Sequence, residues 1–197
     1  MGGVHPLSLI LVLGSAGSGK TTFAQRLVPE LGCAYLNSDT ISEAAFPGDR
    51  ESLEYLKARP IIYRTLYDVA FANLKLGNSV LIDAPHVGHI VDPEWRAWVI
   101  SEPERLGARL RVIHCVADQS TRRSRLAARG EARDAGRLAN WAEYIRSDPF
   151  RSPIPLPHIE IDTGQDMLGN LALARDYLRG AHASAGSPWT RRTGASK

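Results

Sequence analysis

The chain has 197 residues, of which 44% are hydrophobic and 23% are charged, values that are typical of a globular protein and exclude wholesale disorder. The formal net charge of +3 favours anionic ligands only weakly, so nucleic acid is permitted as a partner but not indicated. The length predicts one domain over residues 1–180, and the small, polar composition of residues 181–197 predicts a disordered tail.

The cysteines and the apolar runs bear on the compartment in which the protein works. Cys33 and Cys115 are far apart, form no C-x-x-C pair and lie in or beside apolar runs, which predicts two buried thiols in a reducing compartment. No apolar run approaches the about 18 residues of a membrane-spanning helix. We therefore expect a cytoplasmic protein with no membrane partner.

Short apolar runs alternate with longer helical patterns along the chain. The runs are nearly continuous, which is typical of strands that are covered on both faces of a parallel sheet. They predict strands over residues 7–13, 33–37, 79–83, 109–117 and 158–162. Helical spacing predicts helices over residues 20–31, 61–76, 93–106, 119–129, 137–146 and 167–178. The alternation predicts an α/β fold with an open sheet and right-handed crossovers.

The segment GSAGSGKT, which follows the first predicted strand, matches the phosphate-binding pattern G-x-x-x-x-G-K-[ST]. The glycines let successive backbone N–H groups turn inward around a triphosphate, and the next helix adds its positive N-terminal end. We expect Lys20 to reach the β- and γ-phosphates, Thr21 to ligate Mg²⁺ and Thr22 to bond the α-phosphate. The predicted nucleotide-binding residues of this segment are Gly14, Ser15, Ala16, Gly17, Ser18, Gly19, Lys20, Thr21 and Thr22. The alternative is a glycine-rich turn that binds nothing.

Two aspartates follow predicted strands. Asp83 ends the run VLID, where a buried strand can deliver a carboxylate beside a metal, although aspartate also ends many strands without one. Asp39, in YLNSDTI, emerges at the carboxyl edge of the sheet and is placed to accept the proton of an acceptor hydroxyl. The alternative is that Ser38 or Asp39 only caps a helix that begins near Thr40.

A row of arginines follows the fourth predicted strand. Arg122, Arg125, Arg129 and Arg133 recur at spacings of three and four, so one helical face carries several guanidinium groups. A solvated basic face is the ordinary explanation, but a segment in this place can also close over a nucleotide as a lid. Phosphoryl transfer needs cations on the departing phosphoryl group, so we expect Arg125 and Arg129 to act in catalysis and Arg129 and Arg133 to contact nucleotide.

His86 and His89 have the i,i+3 spacing of a metal pair. They lie in a loop that contains Pro and Gly, and no third soft ligand is nearby in the sequence. We therefore expect no zinc site at this pair.

Five segments together resemble the small P-loop kinases of the AAA_33 type: GSAGSGKTTFAQRL, YLNSDTI, LKLGNSVLIDAP, CVADQSTRRSRLAARGEARDA and HIEIDT. These kinases are relatives of polynucleotide 5′-hydroxyl kinases, zeta toxins and gluconate kinases. The resemblance covers residues 7–178 and implies a five-stranded parallel sheet sandwiched by helices, with a helical, arginine-bearing lid over residues 119–148. It also implies ATP and Mg²⁺ as cofactors and transfer of the γ-phosphoryl group to a hydroxyl.

The same resemblance implies roles for individual residues. It makes Asp39 the general base, and it places Asp162 and Thr163 beside adenine. Polynucleotide kinases carry an arginine shortly after the base, whereas this chain has DTISEAAF, and DAPH stands where many relatives have Asp-Ala-Thr or Asp-Ala-Asn. Both departures fall on the acceptor side. We therefore expect a small hydroxylated acceptor, with a polynucleotide 5′-hydroxyl kinase and an ATPase without an acceptor as the alternatives.

Overall fold

The computed structural model describes residues 5–46, 52–86, 89–148 and 153–180. The predicted disordered tail, residues 181–197, lies outside the described residues. Within the described ranges, no helix has both the length and the apolar character needed to cross a membrane.

A five-stranded parallel sheet forms the centre of the fold, and the predicted α/β architecture is confirmed. The strands are β1 (Ser8–Leu13), β2 (Ala34–Asn37), β3 (Val80–Asp83), β4 (Arg109–Val116) and β5 (Ile159–Asp162). Their spatial order is β2-β3-β1-β4-β5. From β1 the chain first connects to strands on one side of it, β2 and β3, and later crosses to β4 and β5 on the other side. Ligands of open α/β sheets bind in the crevice at the carboxyl ends of the strands where the strand order changes sides in this way.

Helices cover the sheet at nearly the predicted positions. They are α1 (Lys20–Leu31), α2 (Ser38–Ala45), α3 (Leu53–Lys75), α4 (Pro93–Arg105), α5 (Gln119–Arg129), α6 (Ala135–Ala139), α7 (Trp141–Arg146) and α8 (Met167–Arg179). A 3₁₀ turn, Ala132–Asp134, precedes α6. The predicted helices at 20–31, 93–106, 119–129 and 167–178 agree with α1, α4, α5 and α8 to within one residue at each end.

Two predicted helices differ from the structure. The helix predicted over 61–76 begins eight residues earlier, at Leu53 in α3, because the Ser52 hydroxyl caps its first turn by accepting from Tyr55 N at 3.2 Å. Pro60 lies inside this helix, which tolerates the loss of one backbone donor. The helix predicted over 137–146 is divided into α6 and α7, because Asn140 has the non-helical backbone angles φ −113° and ψ 43°.

The core consists of two apolar layers, one on each face of the sheet. On β1, Leu9, Leu11 and Leu13 pack on one face and Ile10 and Val12 on the other, and all five are fully buried. This alternation explains why the strand is apolar throughout, since a parallel sheet covered by helices has no solvent face. The rigid β1 therefore delivers the glycine-rich segment to the carboxyl edge.

The two cysteines are free thiols in different environments. Cys115, in β4, is buried as predicted, and burial raises its pKa to about 12. Cys33 is only half-buried, which corrects the prediction for this residue, and desolvation raises its pKa to about 11. Raised pKa values keep both thiols protonated at neutral pH.

Candidate active site

The glycine-rich segment forms a tight loop between β1 and α1, and neighbouring residues approach it closely. Gly17 and Gly19 have left-handed backbone angles, with φ values of 78° and 79°. A Cβ atom at Gly17 would lie 2.7 Å from the carbonyl oxygen of Arg122, and one at Gly19 would lie 2.8 Å from Thr163 Oγ1. Both the backbone angles and the lack of space therefore require glycine here.

An open cavity of about 330 Å³ lies over this loop. Its lining residues are Gly17, Gly19, Lys20, Thr21, Thr22, Arg125, Leu126, Arg129, Thr163 and Met167. The sequence predicted all of these except Leu126 and Met167. The side chains of Leu126 and Met167 form an apolar part of the cavity wall, which could pack against a planar ring. The loop forms the polar part of the wall. The helical pattern around the arginines contained the signal for Leu126, but the position of Met167 depends on how α8 packs.

Lys20 is the first residue of α1 and lies among carboxylates. Burial lowers the pKa of Lys20, and the negative charges of Asp83 and Asp39 oppose that shift. The same interactions show that both carboxylates are within electrostatic reach of the ammonium group. An anionic ligand in the cavity would favour the charged lysine further, so the site is suited to phosphate groups.

Asp83 ends β3 and is buried, with 1% of its surface exposed. Its Oδ2 accepts hydrogen bonds from the Tyr35 hydroxyl at 2.9 Å and from Asn37 Nδ2 at 2.6 Å. Its Oδ1 is buried and has no hydrogen-bond partner among the residues that the structure describes. A buried carboxylate oxygen without a donor fits a metal ion or a metal-bound water, and Thr21 supplies a hydroxyl in the adjacent loop.

Asp39 lies in the first turn of α2, with its side chain about a third exposed. The cap of this helix is Asn37, whose Oδ1 accepts from Thr40 N at 2.9 Å. The alternative that Ser38 or Asp39 caps the helix is therefore wrong, because α2 begins at Ser38, directly after β2, and not near Thr40. The carboxylate of Asp39 is thus not used as a helix cap.

Arg133 meets the acidic residues of α2 instead of the nucleotide cavity. Its Nη1 lies 3.1 Å from Asp39 Oδ2 and 2.9 Å from Glu43 Oε1, and its Nε lies 3.4 Å from Glu131 Oε2. Attraction by three carboxylates accounts for this position. In this arrangement Arg133 joins the arginine-rich segment to the helix that carries Asp39, and its contact with nucleotide stays a prediction.

Arg125 and Arg129 both line the cavity, and both have protein partners. Arg125 donates to Thr163 through Nη1 to Oγ1 at 2.8 Å and through Nη2 to the carbonyl oxygen at 2.9 Å. Arg129 pairs with Asp134, to whose Oδ2 its Nε donates at 2.9 Å. Asp134 is fully buried and also binds Arg137 at 2.8 Å. The arginines therefore lie at the cavity in fixed positions.

A second network of hydrogen bonds and an ion pair contacts the phosphate-binding loop at Ser15 and Ala16. Arg122 Nη2 lies 2.9 Å from Asp148 Oδ2, and the Ser15 hydroxyl donates to the two oxygens of Asp148 at 2.8 and 2.6 Å. The Ala16 amide donates to the Tyr144 hydroxyl at 3.1 Å. Ser15 and Ala16 therefore each use one polar group within the protein, and their contacts with nucleotide stay a prediction. Sequence reasoning missed Tyr144 and Asp148, because no local pattern links them to the loop.

Asp162, which ends β5, and Thr163, which follows it, were expected beside adenine, and their side chains have different surroundings. Thr163 lines the cavity, and its hydroxyl donates to the carbonyl oxygen of Ser18 at 2.8 Å. Asp162 Oδ1 instead accepts from Gly164 N at 2.9 Å and shapes the turn after β5. The structure thus brings Thr163 to the cavity, whereas the Asp162 side chain serves the turn.

The two histidines after β3 lie in an aromatic cluster. His86 is fully buried, has a φ of 54°, and its Nδ1 lies 3.3 Å from the Tyr67 hydroxyl. Burial, with smaller contributions from His89 and Lys20, lowers the pKa of His86 to about 3. The His89 ring packs against Tyr63 with 4.5 Å between ring centroids. Both rings therefore act as packing groups in this cluster.

The comparisons with known proteins agree with this geometry. The family model AAA_33, described as an AAA domain, matches residues 9–147. A Chloroflexus aurantiacus protein, described provisionally as a kinase, is 24% identical with a TM-score of 0.66 over 87% of this chain and 98% of that chain. A sugar kinase from Janibacter sp. HTCC2649 is 19% identical with a TM-score of 0.63 over 91% of this chain and 100% of that chain. Shikimate kinase from Acinetobacter baumannii is 19% identical with a TM-score of 0.54 over 89% of this chain and 93% of that chain.

These similarities are similarities of fold. They show that the chain has the fold of the P-loop kinases. A comparison with curated proteins gives no significant match.

Proposed function

This chain belongs to the AAA_33 family, and we propose that it is an ATP-dependent kinase that transfers the γ-phosphoryl group to a hydroxyl group of a small molecule. One observation carries the proposal. Lys20 and Thr21 line the cavity over the phosphate-binding loop, Asp83 ends β3 directly beside β1, and Asp39 lies in the first turn of the helix that follows β2. The proposed nucleotide site, metal carboxylate and general base thus meet at one edge of the sheet.

On the nucleotide side, the loop amides and Lys20 would hold the phosphates over the cavity. Thr21 and the unpaired Oδ1 of Asp83 would hold Mg²⁺, whose chemical contribution is to neutralise charge on the phosphate oxygens. The side chains of Leu126 and Met167 would pack against the base. Arg125 and Arg129 would place positive charge beside the phosphoryl group, where charge changes during transfer.

On the acceptor side, Asp39 would accept the proton of the attacking hydroxyl. The acceptor oxygen forms a bond to the γ-phosphorus, the bond from that phosphorus to the bridging oxygen breaks, and ADP leaves with the electron pair. A partly exposed carboxylate is open to such a substrate. The ion pair with Arg133 would hold the Asp39 carboxylate in position at this edge of the sheet.

The charges around Asp39 favour a small acceptor over a nucleic acid. Glu43 and Glu131 share Arg133 with Asp39, so the local surface has three carboxylates for this one guanidinium group. A polynucleotide needs cations along its phosphates, and α2 contributes acids and no basic residue. The sugar kinase and shikimate kinase among the structural neighbours act on small molecules, as their names state.

The test is a screen of hydroxylated metabolites with the purified chain, ATP and Mg²⁺, read by mass spectrometry as a gain of one phosphate. ADP release is measured in parallel with small alcohols, with 5′-hydroxyl oligonucleotides and without an acceptor. We expect release that depends on a small acceptor and is lost in Lys20→Ala. Release that depends on oligonucleotide would support a polynucleotide kinase, and release that no acceptor changes would support a bare ATPase.

A further inference from the structure

Three metal-ligating side chains that the proposed kinase reaction does not use meet on β4 and β5. They are His114, His158 and Glu160, and one ligand atom from each lies within 4.8 Å of those of the other two. The described lining of the nucleotide cavity includes none of them. Sequence reasoning did not find this group, because His114 is more than 40 residues from the other two in the chain.

The sheet brings these side chains together. His114 in β4 and Glu160 in β5 are direct partners in the parallel register, so their side chains leave the same face of the sheet. His158 directly precedes β5, two residues before Glu160, and its ligand atom lies within 4.8 Å of those of His114 and Glu160. Two hydrogen-bonded strands therefore fix the backbone beneath His114 and Glu160, and His158 directly precedes β5, which lowers the conformational cost of binding an ion.

The hydrogen bond that the His158 ring makes suits a metal ligand. His158 Nδ1 lies 2.7 Å from the carbonyl oxygen of Leu156. A carbonyl oxygen only accepts hydrogen bonds, so Nδ1 carries the proton and Nε2 presents a lone pair. A hydrogen bond of this kind from the second ring nitrogen is a common feature of metal-ligating histidines, because it fixes the tautomer and orients the ring.

The distances are close to those of a zinc site. Zinc binds histidine nitrogen at about 2.0–2.1 Å and carboxylate oxygen at about 2.0–2.2 Å, so ligand atoms of a tetrahedral site lie about 3.3–3.5 Å apart. His114 Nδ1 and Glu160 Oε1 are 3.5 Å apart. One ligand atom of each of the three residues lies within 4.8 Å of the others, so side-chain rotation has to draw the ligands closer around an ion.

We propose that His114, His158 and Glu160 form a binding site for a zinc ion that links β4 to β5. Two imidazoles and one carboxylate are a donor set that suits zinc and the neighbouring divalent transition metals, whereas magnesium prefers oxygen ligands throughout. The His114 side chain is 7% exposed and that of Glu160 is 30% exposed, so an ion enters from the Glu160 side. A water completes the four-coordinate shell, and the ion holds β5 to the rest of the sheet.

The test uses the full chain, stripped of metal with a chelator and then titrated with Zn²⁺ by calorimetry in excess Mg²⁺. A parallel titration with Co²⁺ reads the visible absorption that distinguishes tetrahedral from octahedral coordination. We expect one Zn²⁺ per chain, a tetrahedral Co²⁺ spectrum, and a higher melting temperature with Zn²⁺. His158 and Glu160 are partly exposed, so His158→Ala and Glu160→Gln should fold. Each variant should lower the Zn²⁺ affinity by more than about 100-fold, because the loss of a hydrogen-bond partner outside the ligand shell already costs about 10–100-fold.

His5→Ala is the matched control, since His5 is a half-buried histidine whose ring bonds Pro6 and Leu31 and not this group. The control should bind Zn²⁺ as the unmodified chain does. The proposal is overturned if the chain binds no Zn²⁺, or if His158→Ala and Glu160→Gln bind it unchanged. In either case the group is a hydrogen-bonded cluster that only joins the strands. Neither outcome changes the kinase proposal, because that proposal is tested separately by acceptor phosphorylation.

Discussion

Asp148 connects the phosphate-binding loop to the helices that follow β4. Its replacement by alanine tests how much this connection contributes to the stability of the protein. The carboxylate is 7% exposed and accepts from the Ser15 hydroxyl at 2.6 and 2.8 Å. It also pairs at 2.9 Å with Arg122, whose side chain is 10% exposed. Asp148→Ala therefore leaves a guanidinium group buried without its carboxylate.

The expected cost follows from these contacts. Removing one partner of a buried ion pair typically costs about 3–5 kcal/mol, because the remaining charge is uncompensated. Arg122 keeps its hydrogen bonds to the Ala16 carbonyl oxygen at 3.2 Å and to the Tyr144 hydroxyl at 3.3 Å, so we expect the lower end of that range. A loss of about 3 kcal/mol in the free energy of unfolding lowers the melting temperature of a protein of this size by roughly 6–12 °C.

The assay is urea unfolding followed by circular dichroism on Asp148→Ala, Arg122→Leu and the double variant. We expect the double variant to lose less than the sum of the single losses, because it leaves no buried charge unpaired. Ser15→Ala, which removes one donor and leaves the ion pair, should cost about 1–2 kcal/mol. A loss below about 1 kcal/mol in Asp148→Ala, or additive losses in the double variant, would refute the reasoning.

Three further predictions concern the site itself. Lys20→Ala should abolish phosphoryl transfer and retain the melting temperature, measured by ADP release and thermal unfolding; turnover at the unmodified rate would contradict the nucleotide site. Asp39→Asn should lower acceptor phosphorylation by about 10²–10⁴-fold, the usual effect of losing a general base, with ATP binding nearly unchanged by calorimetry. Equal losses of binding and turnover would place Asp39 at the metal instead. His86 has a pKa of about 3 in the folded chain against about 6.5 when unfolded, so its neutral form contributes full stability above the unfolded value. As the pH falls from about 6.5 towards 4, the unfolded chain binds a proton at His86 that the folded chain does not bind. The free energy of unfolding should therefore fall by up to about 1.4 kcal/mol per pH unit. His86→Asn, which tolerates the φ of 54°, should flatten this dependence in urea titrations, and equal slopes in both proteins would count against the buried neutral histidine.

The sequence alone determined the α/β fold, the strand positions and the glycine-rich loop. Each of these features depends on residues that are close in the chain. A run such as Leu9–Val12 can satisfy its apolar side chains only when both faces are covered, and the pattern from Gly14 to Thr21 sets its own backbone shape. The general location of the site followed, because the carboxyl ends of parallel strands share one edge.

Only the tertiary structure decided which side chains are partners. Ser15 meets Asp148, and Asp39 meets Arg133, two pairings that no pattern in the sequence indicated. Asn37 took the capping role that Ser38 or Asp39 was considered for, because the end of β2 set the first residue of the helix. Two residues that are about 100 positions apart leave no periodic pattern in the sequence, because their distance in space depends on how whole helices pack. A guanidinium group can also pair with any carboxylate that packing brings near, so its charge alone does not identify its partner.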